Sequence, residues 1–174
     1  MKAETSKRYG ILFLAKAAVI AALYTVLTLG PAPISYGEMQ LRISEALTVL
    51  PMFTPAAVPG LFVGCLISNG VGILMGVNAL GVLDLAVGSS ATLLAAICTY
   101  FLRNAKVFKL PAFAFLPPVV FNAVFVGWEL HYVFGTPFFV NALWVAAGEA
   151  AAVWVLGGVL YAALRKTNIL NKIA

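Results

Sequence analysis

The chain is a succession of apolar runs, most of them close to twenty residues, and the cations that punctuate them fall at every second break. About 20 mostly apolar residues cross a hydrocarbon core of ~30 Å, because each helical residue rises ~1.5 Å. Six such segments can be marked: Ile11 to Leu29, Ile43 to Val58, Pro59 to Val77, Asp84 to Leu102, Pro111 to Phe134 and Pro137 to Leu164. Gly30-Pro31-Ala32-Pro33 ends the first by favouring a turn and removing donors. The second is short and carries Pro51 and Pro55, which predicts a kinked or tilted crossing. With 63% hydrophobic and 10% charged residues, the expected class is an all-α integral membrane protein of six transmembrane helices.

Charge sets the orientation. Lys2, Lys7, Arg8 and Lys16 precede or open the first segment. Arg103, Lys106 and Lys109 lie between the fourth and fifth, and Arg165, Lys166 and Lys172 follow the sixth. Six crossings put all of these on one face, and the positive-inside rule makes that face cytoplasmic, with both termini. Only Arg42 falls elsewhere. A net charge of +5 is therefore explained by a basic rim facing the bilayer, and no nucleic-acid partner is expected. Cys65 and Cys98 fall within spans and are read as small core residues. One domain, residues 1–174, is expected, without a linker or a convincing internal repeat.

Depth then sorts the polar groups. Ser68 and Asn69 sit past the midpoint of the third span, roughly 14 Å from its cytoplasmic start. Asp84 opens the fourth at the outer surface, and Asn122 lies near mid-depth in the fifth. Asn141 and Trp144 are high in the sixth, with Glu149 near its middle. Tyr36, Glu38, Gln40, Arg42, Ser44 and Glu45 belong to the outer loop and the top of the second span. Polar groups are costly inside a bilayer, so their convergence predicts a ligand cavity between helices, open to the outside.

Several of these residues admit plainer readings. Trp128, Glu129, His131 and Tyr132 fit a water-interface belt. Arg42 and Glu45, three apart, fit a helix-end ion pair, and Asp84 fits a helix N-cap. Asn69 and Asn122 fit interhelical hydrogen bonding. Glu149, set among Ala146, Ala147, Gly148, Ala150, Ala151 and Ala152, has no local partner and reads as functional. Gly60/Gly64 and Gly72/Gly76 form two GxxxG pairs expected to mark close helix contacts. On the first span, Ala17/Ala21 and Ala18/Ala22 form overlapping small-residue faces suited to another helix.

No HExxH, GxSxG or P-loop GxxxxGK[ST] is present, so an intramembrane enzyme lacks a recognisable centre, no metal or cofactor is expected, and any ATP would be used by a partner. A solute-binding transport subunit fits best. Other vitamin-like heterocycles and, in a different class, an intramembrane enzyme are the alternatives.

The run Pro33-Ile34-Ser35-Tyr36-Gly37-Glu38-Met39-Gln40-Leu41-Arg42-Ile43-Ser44-Glu45-Ala46-Leu47-Thr48 resembles the QueT family, as do the stretches from Pro59 to Cys65 and Pro117 to Ala123 and the Gly148-Glu149 pair. The resemblance implies a substrate-binding S component of an energy-coupling factor (ECF) transporter in a prokaryotic cell membrane, importing a queuosine precursor. It implies partners as well: a transmembrane T component, reached through the helix-one alanines, and two ATPases. The loop between the first two helices would lid the pocket. A 7-deazaguanine offers N1–H and NH2 as adjacent donors, which one carboxylate can accept together. Glu149, Asn122, Asn69, Asp84, Gln40, Tyr36, Arg42, Glu45, Asn141 and Trp144 are the expected binding residues, with Asp84 or Glu45 available to a substrate ammonium.

Overall fold

The computed structural model describes residues 2–37, 40–105 and 111–167. Glu38, Met39, Lys106, Lys109 and Lys172 lie outside the described residues. Among the described residues, five helices are long and apolar enough to cross a membrane. These are α1 (Lys2–Leu29), α2 (Ala57–Leu74), α3 (Val82–Leu102), α4 (Leu116–Phe134) and α5 (Phe138–Lys166). Glycines shape two of the connections between them: Gly76 and Gly81 between α2 and α3, and Gly135 between α4 and α5, all have positive φ, a conformation that costs them little.

The second predicted crossing takes a different form. Ile43–Met52 is a ten-residue 3-10 helix, about 20 Å long at ~2.0 Å per residue. Runs of this length are uncommon because their hydrogen bonds are poorly aligned. Here packing sustains it, since Ser44 to Val49 and Pro51 are all buried. Its slimness matters where the last helix crosses it. A Cβ on Gly157 would stand 2.9 Å from Val49 Cγ1 and 3.2 Å from the Ala46 carbonyl oxygen.

Close contacts fix the directions of the helices. A Cβ on Gly60 would lie 2.8 Å from the Ala17 carbonyl oxygen, and one on Gly64 2.9 Å from that of Ala21. Rising numbers match rising numbers, so α1 and α2 run parallel, and the 3-10 segment between them returns along the bundle. By contrast, Asn69 bonds to Asp84 and Cys65 contacts Thr92, making α2 and α3 antiparallel. Thr99 bonds to Ala114 beyond the end of α3, and α4 then rises beside it. A Cβ on Gly127 would be 2.9 Å from Ala142 Cα, which marks the tight antiparallel crossing of α4 and α5. The start of α1 and the end of α5 therefore share one end of the bundle.

The two predicted GxxxG pairs diverge. Gly60 and Gly64 form a helix contact as expected, against Ala17, Ile20, Ala21 and Tyr24. Gly72 instead lies under the Tyr36 ring, and Gly76 is past the helix end. The core joins Ile20 and Tyr24 of α1 with Leu47, Leu61, Cys65 and Ala96. A second cluster, Leu80, Val126, Leu130 and Val145, holds the opposite end together.

Candidate functional site

The polar residues gather in two storeys at the end of the bundle where the Ala32–Ser35 turn and Gly135 lie. The upper storey is a cavity of about 460 Å³ whose walls include Tyr36, Gln40, Leu80, Leu130, Asn141 and Trp144. Asn141 is held by Thr136, whose hydroxyl accepts from its amide at 2.8 Å. Tyr36 is tied down by its own hydroxyl, which donates to the Ser68 carbonyl oxygen at 2.7 Å. Burial pushes its phenol up to about 12, so it remains a donor at any physiological pH. The loop bends at Gln40, the described non-glycine residue with positive φ, at 49°. Such a conformation is strained for an ordinary side chain and persists where its surroundings hold it. Gln40 Oε1 accepts from Arg42 Nη2 at 2.9 Å.

Below this lies a buried polar cluster. Arg42 Nη2 also donates to Asp84 Oδ2 at 2.8 Å, forming an ion pair almost wholly out of solvent. Asn78 Nδ2 donates to the same oxygen at 2.9 Å. The other Asp84 oxygen lies over Gly88, where a Cβ would leave it only 1.9 Å. Asn69 Nδ2 donates to the Asp84 carbonyl oxygen at 2.9 Å. Two sequence readings change here. Arg42 pairs with Asp84 and not with Glu45, because Arg42 is extended (φ −93°, ψ 111°) just before its helix, where the three-apart rule has no hold. Asp84 is not an N-cap either, since Gly81 occupies that position.

Glu45 instead receives the hydroxyl of Tyr24 from α1. Thr28 donates to Ser44 at 2.7 Å, and so the 3-10 helix is stitched to α1 through two side-chain bonds. Across the bundle, Asn122 Nδ2 donates to Glu149 Oε1 at 2.8 Å, joining α4 to α5. Glu149 sits two residues before a π-helical turn, Ala151–Leu156. Such turns widen a helix and occur frequently at functional sites.

One residue that the sequence reading set at the water interface belongs to this interior. Glu129 is 0% exposed, while Trp128 and Tyr132 stack on each other at the surface and His131 is exposed. The missed signal was spacing: Glu129 follows Asn122 by seven residues, two turns along the same face.

The unbonded atoms share a chemistry. Among the described residues, Glu45 Oε2, Asn69 Oδ1, Asp84 Oδ1, both Glu129 oxygens and Glu149 Oε2 are buried without a hydrogen bond, with the hydroxyls of Ser35 and Ser89. All but the two hydroxyls are carboxyl or amide oxygens, which accept only when the carboxyls are ionised. Buried polar groups left unpaired cost roughly 1–3 kcal/mol each, so this interior is complementary to a ligand rich in N–H donors. A larger groove of about 590 Å³ at the other end, between Phe115, Trp154 and Tyr161, offers nothing comparable. Its charged residues, Arg165 and Lys166, are exposed. Among the described residues, no three His, Cys, Asp or Glu side chains gather as a metal site would require.

The ten binding residues expected from the sequence divide between the storeys. Tyr36, Gln40, Asn141 and Trp144 line the cavity, and Arg42, Glu45, Asn69, Asp84, Asn122 and Glu149 are buried beneath it. Of the helix-one alanines, Ala21 is buried and Ala17 half-buried under α2, whereas Ala18 and Ala22 are exposed.

Five apolar helices of spanning length around a buried polar interior, with a cavity above it, have the architecture of a multi-pass membrane protein. The QueT transporter family model matches residues 14–166, and the chain belongs to that family. It is 31% identical to the queuosine precursor transporter QueT of Lactococcus lactis subsp. cremoris (strain MG1363), an alignment covering 87% of this chain and 90% of that protein. No solved structure matches the chain.

Proposed function

We propose that the chain is the substrate-binding S component of an ECF importer and captures a 7-deazaguanine queuosine precursor from outside a prokaryotic cell. The observation that carries this reading is the Asn122–Glu149 pair with its free Glu149 Oε2. A carboxylate held by an amide at its side presents acceptors to the adjacent N1–H and NH2 of a guanine-type edge. The amide fixes the carboxylate and can itself turn to the ring carbonyl. The name of the Lactococcus relative supports the substrate class.

The parallel course of α1 and α2 supports six crossings, with the 3-10 segment as the second. Arg103 after α3 and Arg165 and Lys166 at the end of α5 support cytoplasmic termini. Substrate would pass through the outer cavity to the acceptors below. Energy would come from a T component and two ATPases, so the chain itself binds and releases and catalyses nothing.

Two measurements test this. The tagged chain, expressed with its ECF partners, should co-purify with a T component and ATPases. Calorimetric titration of the purified chain with 7-deazaguanines and with thiamine precursors should show binding of the former only. Binding of neither class, or purification without partners, would remove the reading.

A further inference from the structure

Beneath the outer cavity, carboxylates outnumber cations. Glu45, Asp84, Glu129 and Glu149 are all buried, and Arg42 is the buried cation among the described residues. Arg42 lies within electrostatic reach of each of them. Its hydrogen bonds go to Asp84, Gln40, the Ser35 carbonyl oxygen and, at 3.8 Å, the Cys65 sulfur. Tyr24 serves Glu45 and Asn122 serves Glu149. Glu129 differs from the other three, because no side chain donates to either of its oxygens. Its carboxyl faces the Gly88 backbone of α3, and its neighbour Leu130 lines the outer cavity.

Position adds to this. Asn122 and Glu129 share one face of α4, roughly 10 Å apart along the axis at ~1.5 Å per residue. A flat bicyclic base with its amide edge at Asn122 and Glu149 would direct its opposite end towards Glu129. This rests on the deazaguanine reading above. The opposite end of such a base carries the seven-position side arm that distinguishes one precursor from another. An ionised carboxylate out of water needs a cation or several donors to be tolerated. An ammonium supplies both, whereas a nitrile supplies only a further acceptor.

We propose that Glu129 is the specificity-determining residue of this site, receiving a side-arm ammonium, so that the protein selects amine-bearing deazaguanines over neutral nitrile-bearing ones. The sequence reading offered Asp84 or Glu45 for that task. Asp84 is already neutralised by Arg42, and Glu45 already holds the Tyr24 hydroxyl.

The test compares two probes, 7-aminomethyl-7-deazaguanine and 7-cyano-7-deazaguanine, by calorimetry on the purified full chain. The unaltered protein should bind the amine roughly 10- to 100-fold more tightly, as a charge-assisted pair would give. Glu129→Gln should remove most of that preference while changing nitrile affinity by less than about threefold. Equal affinities in the unaltered protein, or a preference for the nitrile, would overturn the assignment whatever the variant does. So would a folded Glu129→Gln protein that keeps the preference or loses both ligands equally. Failure of the unaltered chain to bind either probe would overturn the deazaguanine reading itself, and this inference with it.

Discussion

The Tyr36 ring rests on Gly72: a Cβ built on that glycine would stand 2.8 Å from the ring's Cζ and 2.9 Å from its hydroxyl oxygen. The same hydroxyl donates to Ser68, one turn earlier on α2. A glycine that sequence reading assigns to helix packing is thus the seat of the loop that walls the cavity. Gly72→Ala should lift the ring, break its hydrogen bond and weaken substrate binding about tenfold, the effect of ~1–2 kcal/mol of overpacking. Hydrogen exchange at Ser35 and Tyr36 should rise with it. Unchanged exchange there would show that the seat is not needed. Tyr36→Phe keeps the ring and loses one bond, a milder cost of ~0.5–1.5 kcal/mol. Because burial raises the Tyr36 phenol from 10.0 to about 12, loop docking should be intact below pH 10 and weaken as pH rises towards 12.

Glu149→Gln should cost about 2–4 kcal/mol of binding, roughly 30- to 1,000-fold, by removing a carboxylate that receives two charge-assisted bonds. Asn122→Ala frees the carboxylate from its orienting amide without removing it, and the loss should be smaller. Calorimetry on both folded variants orders the two. A larger loss at Asn122 would transfer the recognising role to the amide.

The Arg42–Asp84 pair is expected to act on stability first. Breaking a buried pair leaves one charge uncompensated, at about 3–5 kcal/mol. Asp84→Asn should therefore lower the thermal midpoint of the detergent-purified chain sharply, and Arg42→Met should do so as well. The double variant should be more stable than either single one, since it leaves no unpaired charge. Additive losses would mean that the pair does not interact in the folded protein.

How much of this was legible beforehand follows from the range of each interaction. Five of the six expected spans were readable because apolar length is a local property. The 3-10 form of Ile43–Met52 was not, since its buried packing comes from α1, α3 and α5, far away in the chain. Arg42 found its partner 42 residues on, past a nearer carboxylate at Glu45 that an extended backbone turned away. Glu129 was obscured by aromatic neighbours on the other side of the same helix, although its spacing from Asn122 placed it inward. Glu149 was readable because nothing near it in sequence could satisfy it.

The two alanine registers of α1 should now behave oppositely. Ala17 and Ala21 lie under Gly60 and Gly64, with backbone approaches so close that even a glycine Cβ would collide. Membrane packing of this kind has little hydrophobic driving force to absorb a misfit. Ala21→Leu should destabilise the isolated chain and reduce binding and uptake together. Ala18 and Ala22 are exposed, between the exposed side chains of Leu14, Val19 and Val26. A small-residue strip on an otherwise bulky outer face lets a partner backbone come near, which suits the proposed T component. Ala18→Leu or Ala22→Trp should leave substrate titration and thermal midpoint unchanged while abolishing ATP-driven uptake in a reconstituted complex. Uptake at the unaltered rate in both variants would remove this strip as the coupling surface. A parallel loss of binding would show instead that the outer register is part of the fold.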